Sequence, residues 1–281
     1  MTTSPAWTRC TAKRWSEAVL GTPPVTETEG GGTAGRALEL AILGSGSAFA
    51  SIGHNAAYLV DGELLLDCGA PVISLVGQLG YGLRDLRSVA ISHLHADHVF
   101  HLPTLVAARA LHCPDSDPLR IVGPRGTVEM LDRLGRTGFG DGFWEEVMGL
   151  GTPIMEEWEG GQSGQLGAFR AKAFRVEHST QLSCLGFSLE REGITLGYSG
   201  DTTLCPGIRD LAGSVEYLLC ECTSMSGPAP IHLWREEVEQ LIREFPAASF
   251  ILTHLSERAP VKGAILASDG LVLRLRPIAG G

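Results

Sequence analysis

No stretch of the chain approaches the roughly 18–20 uninterrupted apolar residues of a membrane-spanning helix, so no such span is expected. Positive charge is short: 22 Lys+Arg stand against 32 Asp+Glu, a formal net charge of −10 over 281 residues. That balance lacks the field that steers long nucleic acids, so such partners are disfavoured and a small substrate is expected. Paired cysteines are missing too. The cysteines at 10, 68, 113, 184, 205, 220 and 222 form no CxxC, and several sit in apolar runs such as Leu64–Cys68, as small buried hydrophobes of a reducing compartment do. After Arg9, Lys13 and Arg14 no apolar segment precedes Thr22-Pro23-Pro24, so a secretory signal is not expected and a cytoplasmic protein is. General disorder is excluded by a hydrophobic content of 44%, and the length is ample for a large core.

Residues 1–36 show no sustained period and run through Thr26–Gly32, a composition that reads as a flexible tail or loosely docked arm. One domain is expected over 37–281. Short apolar runs at Leu38–Leu43, Ala57–Val60, Glu63–Asp67, Leu86–Ser92, Phe169–Val176, Leu185–Leu189, Thr195–Ser199, Val215–Leu219 and Phe250–Thr253 predict strands. Helical spacing appears at Pro71–Leu79, Leu102–Leu111, Arg125–Leu134 and Trp234–Phe245. Many strands with helices between them, without regular alternation, predict an α/β fold of sheets covered by helices. Gly135–Gly164, rich in glycine, reads as a surface loop or as a lid beside a site.

The most informative segment is Ser92-His93-Leu94-His95-Ala96-Asp97-His98. It follows a β run, where side chains at i and i+2 share a face, so His93 and His95 can point at one ion. Asp97 and His98 then turn with the chain toward a second. Imidazole and carboxylate without cysteine suit zinc, with manganese or iron as substitutes. One motif cannot close two sites. His178, Asp201 and His254 each stand just past the end of a strand-like run and supply the remaining ligand types.

From about residue 39 to 277 the chain resembles the metallo-β-lactamase superfamily, on Asp67 in Leu-Leu-Leu-Asp-Cys-Gly, the His93–His98 cluster, His178, Asp201 and His254. The resemblance implies an αβ/βα four-layer sandwich with a dinuclear site, expected to hold two Zn2+ with Mn2+ or Fe2+ as substitutes. It implies His93, His95 and His178 on the first metal, Asp97, His98 and His254 on the second, and Asp201 bridging both. Asp67 would orient ligands rather than bind metal.

Within the superfamily, Leu43–Ala48, Asn55 and Leu102-Pro103 resemble the ribonuclease Z and small phosphodiesterase branch, although His101 stands where glycine is usual. Cys220-Glu221-Cys222-Thr223 and His232 resemble that branch's His-Glu-Ala-Thr box and later histidine, with the leading histidine and the alanine replaced. The implied chemistry is attack by a metal-bridging hydroxide, with Asp97 accepting a hydrogen bond from it. His232, polarised by Glu221, would protonate the leaving group. The long arm with which tRNA-processing members grip their substrate has no room between His178 and Asp201. A phosphodiesterase acting on small phosphoesters is therefore expected. Lactonase, arylsulfatase, phosphotriesterase or tRNA 3′-processing activity on the same site stand as alternatives, and a non-catalytic metal-binding protein comes last. The branch's dimeric members allow a homodimer. His54 and His101 could reach the site, and His112 reads as structural.

Overall fold

The computed structural model describes residues 25–27 and 37–278. Its first half runs β1 (Val25–Glu27), β2 (Leu38–Gly44), β3 (Ala57–Val60), β4 (Leu64–Leu66), α1 (Val72–Gln78), β5 (Ser88–Ala90), α2 (Ala96–Val99), α3 (Leu102–His112), β6 (Arg120–Gly123), α4 (Thr127–Phe139), α5 (Asp141–Gly151) and β7 (Ile154–Glu157). The second half runs β8 (Ser163–Leu166), β9 (Phe169–Val176), β10 (Cys184–Arg191), β11 (Ile194–Tyr198), α6 (Pro206–Ala212), β12 (Tyr217–Glu221), α7 (Arg235–Glu244), β13 (Ser249–Thr253), β14 (Ala264–Leu266) and β15 (Val272–Leu275). Eight strands pair in the order β1-β15-β2-β3-β4-β5-β6-β7 and seven in the order β14-β13-β12-β11-β10-β9-β8.

The layering follows from side-chain alternation. In β2, Leu40 and Ile42 enter the cluster between the sheets, whereas Ala41 and Leu43 join the one beneath the helices. β9 alternates likewise, with Phe169, Ala171 and Ala173 inward and Arg170 and Lys172 exposed. Phe187, Leu196, Leu219 and Ile251 complete the inter-sheet core, each worth about 1.5–3 kcal/mol on full burial. On the far side of the second sheet, Leu218, Phe250 and Leu252 meet Ile208 and Leu211 of α6 and Val238 and Leu241 of α7. The result is the expected four-layer α/β sandwich. Among the described residues no helix is long and apolar enough to cross a membrane.

Two blocks of parallel strands place the chemistry. β4 through β7 run parallel in the first sheet, and β11 through β14 in the second. In parallel neighbours all C-terminal ends lie at one edge, the edge where open α/β sheets place their ligands. Asp67 follows β4, Ser92 and His93 follow β5, Asp201 follows β11, and His254 follows β13. Glu221 is the last residue of β12.

Two regions differ from the sequence expectation. The tail expected over 1–36 lies outside the described residues, save for Val25–Glu27, which pairs in parallel with Val272–Arg274 and extends the first sheet. Gly135–Gly164 is not a loop. It contains the end of α4, all of α5 and β7, and the start of β8. Trp144 is fully buried in the core beneath the helices and donates its indole N–H to Asp132, while Trp158 is buried between the sheets and donates to Glu156. Both tryptophans of the segment are packing residues with satisfied N–H groups.

Candidate metal centre

Seven side chains from four separate segments converge at the sheet edge. His93 Nε2, His95 Nδ1 and His178 Nε2 gather at one point, with His95 Nδ1 3.0 Å from each of the other two. Asp97, His98, Asp201 and His254 form a second group, and within each group the ligand atoms all lie within 4.8 Å of one another. Asp201 Oδ2 stands between the groups. It is 3.8 Å from both His93 Nε2 and His178 Nε2, 3.3 Å from His98 Nε2 and 3.4 Å from His254 Nε2. The sequence-predicted ligands and Asp67 are thus brought together. His101 caps α3 beside His54, and neither belongs to a metal-binding group. His112 ends α3.

The local backbone is shaped for this. Gly69 lies so close beneath the Asp97 carbonyl that a Cβ would meet the oxygen at 1.6 Å, which fixes glycine there. Asp67 and His254 both adopt positive φ, 53° and 54°, a conformation costing about 1–3 kcal/mol for residues with a side chain. Both cap strands at the site, where the sharp turn aims the side chain at the centre.

A carboxylate or carbonyl stands behind the Nδ1 atoms of His98, His178 and His232. Asp67 Oδ2 accepts from His98 Nδ1 at 2.6 Å, from Ser92 Oγ at 2.6 Å and from Tyr198 at 2.5 Å, while its Oδ1 takes the Ser92 N–H at 2.7 Å. His178 Nδ1 donates to the Ile231 carbonyl at 2.7 Å. Glu221, also buried, accepts His232 Nδ1 at 3.1 Å and the Thr202 N–H at 2.6 Å on Oε1, and the Thr223 hydroxyl at 2.7 Å on Oε2. Sequence reasoning missed Ser92, Tyr198 and Thr202 as parts of the site. Ser92 adjoins the histidine cluster, but Tyr198 and Thr202 carry no local signal.

The electrostatics favour cation binding. Burial, and then the neighbouring His98, push His93 well below the ordinary imidazole range, leaving it neutral with a lone pair to offer. Burial would raise Asp201 and Asp97, but the surrounding histidines outweigh it and hold both carboxyls well below the usual range. Burial would likewise lower His98, yet Asp201 and Asp67 raise it. His98 Nε2 is fully buried and has no hydrogen-bond partner, although two carboxylates stand 3.3 and 3.4 Å away. A buried nitrogen left orphaned among carboxylates is the position a cation would fill. The donor set, all imidazole and carboxylate, suits zinc and its divalent neighbours.

The family model described as Anti-Pycsar protein Apyc1 matches residues 38–264. The chain belongs to the anti-Pycsar protein Apyc1 family. The chain is similar to ribonuclease Z of Mycolicibacterium gilvum, which is 28% identical over 239 residues, 77% of this chain and 84% of that protein. The metallo-β-lactamase fold protein YhfI of Bacillus subtilis superposes with a TM-score of 0.68 at 19% identity, covering 85% of this chain and 99% of YhfI. Human tRNase Z, short form, gives a TM-score of 0.67 at 22% identity, covering 83% and 98%. This Apyc1-family chain is therefore a metal-dependent hydrolase of the metallo-β-lactamase fold, in its ribonuclease Z-like and phosphodiesterase branch.

One expectation is overturned by these relatives. Long nucleic acids were disfavoured on net charge and on the missing arm, yet the similar M. gilvum protein is a ribonuclease Z and human tRNase Z shares the fold. A balance of −10 sums over the whole surface. Phosphate is met locally, and a pole built to hold cations can meet it whatever the remaining surface carries.

Proposed function

We propose that the centre holds two divalent ions, zinc by its donor set, and that the protein is a phosphodiesterase, with small phosphodiesters among its substrates. His93, His95 and His178 would hold one ion, Asp97, His98 and His254 the other, and Asp201 would be shared. Ions so held supply Lewis acidity toward phosphoryl oxygens and bring the pKa of water toward neutrality. The remaining steps fall to the protein's own groups.

The observation that carries the phosphoester reading is the Glu221–His232 pair. His232 Nδ1 lies 3.1 Å from Glu221 Oε1 and 3.7 Å from Asp201 Oδ2, so the imidazole borders the centre. Burial would lower His232, but the hydrogen bond and charge of Glu221 raise it, which favours the protonated ring. With Nδ1–H committed to Glu221, the second ring nitrogen is left to donate to a departing oxygen. Asp97 remains ionised and accepts a hydrogen bond from the attacking water, orienting it. Proton donation of this kind contributes on the order of 10²–10⁴ in rate.

The test is a substrate panel on metal-quantified protein: bis-p-nitrophenyl phosphate, p-nitrophenyl phosphate, a phosphotriester, an aryl sulfate, a lactone and a precursor tRNA, each with a His93→Ala control. Control-sensitive turnover should be higher on a phosphodiester, the tRNA included, than on any other bond. Highest turnover on triester, sulfate or lactone would keep the metal centre and sink the phosphodiesterase assignment. The ribonuclease Z likeness is the reason the tRNA arm belongs in the panel.

A further inference from the structure

Each of the two buried carboxylates behind the centre touches one histidine directly and faces a second through a hydroxyl. Asp67 binds His98 directly, and Ser92 Oγ, 2.6 Å from Asp67 Oδ2, stands 3.1 Å from His93 Nδ1. Glu221 binds His232 directly. Thr223 Oγ1, 2.7 Å from Glu221 Oε2, stands 2.8 Å from His254 Nδ1. His93 and His254 belong to different groups of the centre.

The proton placement follows from what each group can do. An ionised carboxylate only accepts, so Thr223 must spend its one O–H on Glu221. Its oxygen can then only accept from His254, which must carry its proton on Nδ1. The His254 Nε2 lone pair is thereby left facing Asp97 Oδ2 at 3.2 Å and Asp201 Oδ2 at 3.4 Å. Without the hydroxyl, nothing on that side selects between the two tautomers, and the one with Nε2–H cannot bind a cation.

We infer that Thr223 is a positioning residue: its hydroxyl passes the charge of Glu221 to His254 and fixes the tautomer that His254 presents to the second metal, as Ser92 does from Asp67 to His93 at the first. Glu221 then serves two ends of the site at once, the proton donor directly and a metal position through Thr223. This rests on the dinuclear reading of the centre but not on which bond is cut. Partners behind a metal-bound histidine are typically worth about 10–100-fold in affinity.

The full chain, stripped of metal, is titrated with Zn2+ against a chromophoric chelator and with Co2+ by visible absorption. Wild type should take up two equivalents. Thr223→Val, which keeps the shape and removes the hydroxyl, should weaken one equivalent about 10–100-fold and leave the other. Thr223→Ser should restore it, and Ser92→Ala should weaken the other equivalent. Thr223→Val binding both equivalents like wild type overturns the inference. So does Thr223→Ser failing alongside Thr223→Val, because the retained hydroxyl would then not carry the effect, and so does Ser92→Ala weakening the same equivalent as Thr223→Val. No substrate enters these measurements. A protein that shows the expected metal pattern yet ignores phosphodiesters would refute the phosphodiesterase assignment and leave this inference standing.

Discussion

Asp67 receives four hydrogen bonds on two oxygens, from the Ser92 N–H and hydroxyl, His98 and Tyr198, in complete burial. Its charge is acceptable there because four donors converge on it. Replacing it by Asn sets an NH2 group against donors and removes the charge beside His98. Asp67→Asn should cost about 3–5 kcal/mol, the range for breaking a buried charged pair. Tyr198→Phe removes one charged hydrogen bond of the four and should cost about 1.5–3 kcal/mol. Urea denaturation of the metal-free variants measures both, and equal losses would show that Asp67 is not the hub drawn here. At the centre's other flank, His232→Ala should slow diesters with alkoxide leaving groups about 10²–10⁴-fold and nitrophenolate diesters far less, since only the poor leaving group needs a proton. A uniform loss would remove the proton-donor role. Asp67 and the seven clustered histidines and aspartates were legible in sequence because their segments follow apolar runs that end at the same edge. Tyr198 was not: its hydroxyl meets a partner 131 positions away, a relation only the folded sheets create.

At the scale of elements, α4 and α5 show why Gly135–Gly164 misread as a loop. Glycine lowers helix propensity, so a segment with several of them carries a loop signal. Here one of those glycines is a packing device. Gly135 in α4 lies so near Trp144 of α5 that a Cβ would sit 2.2 Å from the indole, so the helices approach only because the side chain is absent. Gly138, in the same helix, has nothing within 4 Å of its virtual Cβ. In an unobstructed helix Gly→Ala gains about 0.5–1 kcal/mol, so Gly138→Ala should stabilise slightly. Gly135→Ala should lose about 1–3 kcal/mol by overpacking. Opposite shifts in the urea midpoint would establish the contact, and two shifts of the same sign would refute it. The strands were easier to read. β9 is bounded in sequence as in structure, because its alternation of buried and exposed side chains, broken only at Ala173 and Phe174, needs no tertiary context.

Across the whole molecule, the centre is where the two sheets are tied together. His93, His95, Asp97 and His98 come from the first sheet's edge, and His178, Asp201 and His254 from the second's. Away from that edge the sheets are held by non-directional apolar packing together with a few polar ties, Arg191 to Asp61 and Glu63 among them. Without cations, the buried Asp201 and the half-buried Asp97 depend on the surrounding histidines for their charge, and His98 Nε2 stands buried with no hydrogen-bond partner, which costs free energy. Bound metal should therefore act on the fold as well as on the chemistry. A cation at about 1,000 times its dissociation constant adds roughly 4 kcal/mol through mass action alone. For a chain of this size each kcal/mol moves the melting temperature by about 2–4 °C. Chelation should then lower Tm by on the order of 10 °C, and zinc should restore it. Because the ligands span both sheets, the loss should appear as one cooperative shift, with no early local transition. If chelation abolishes metal content and leaves Tm where it was, the sheet edge is pre-formed by packing alone and the tie between the sheets is not metallic.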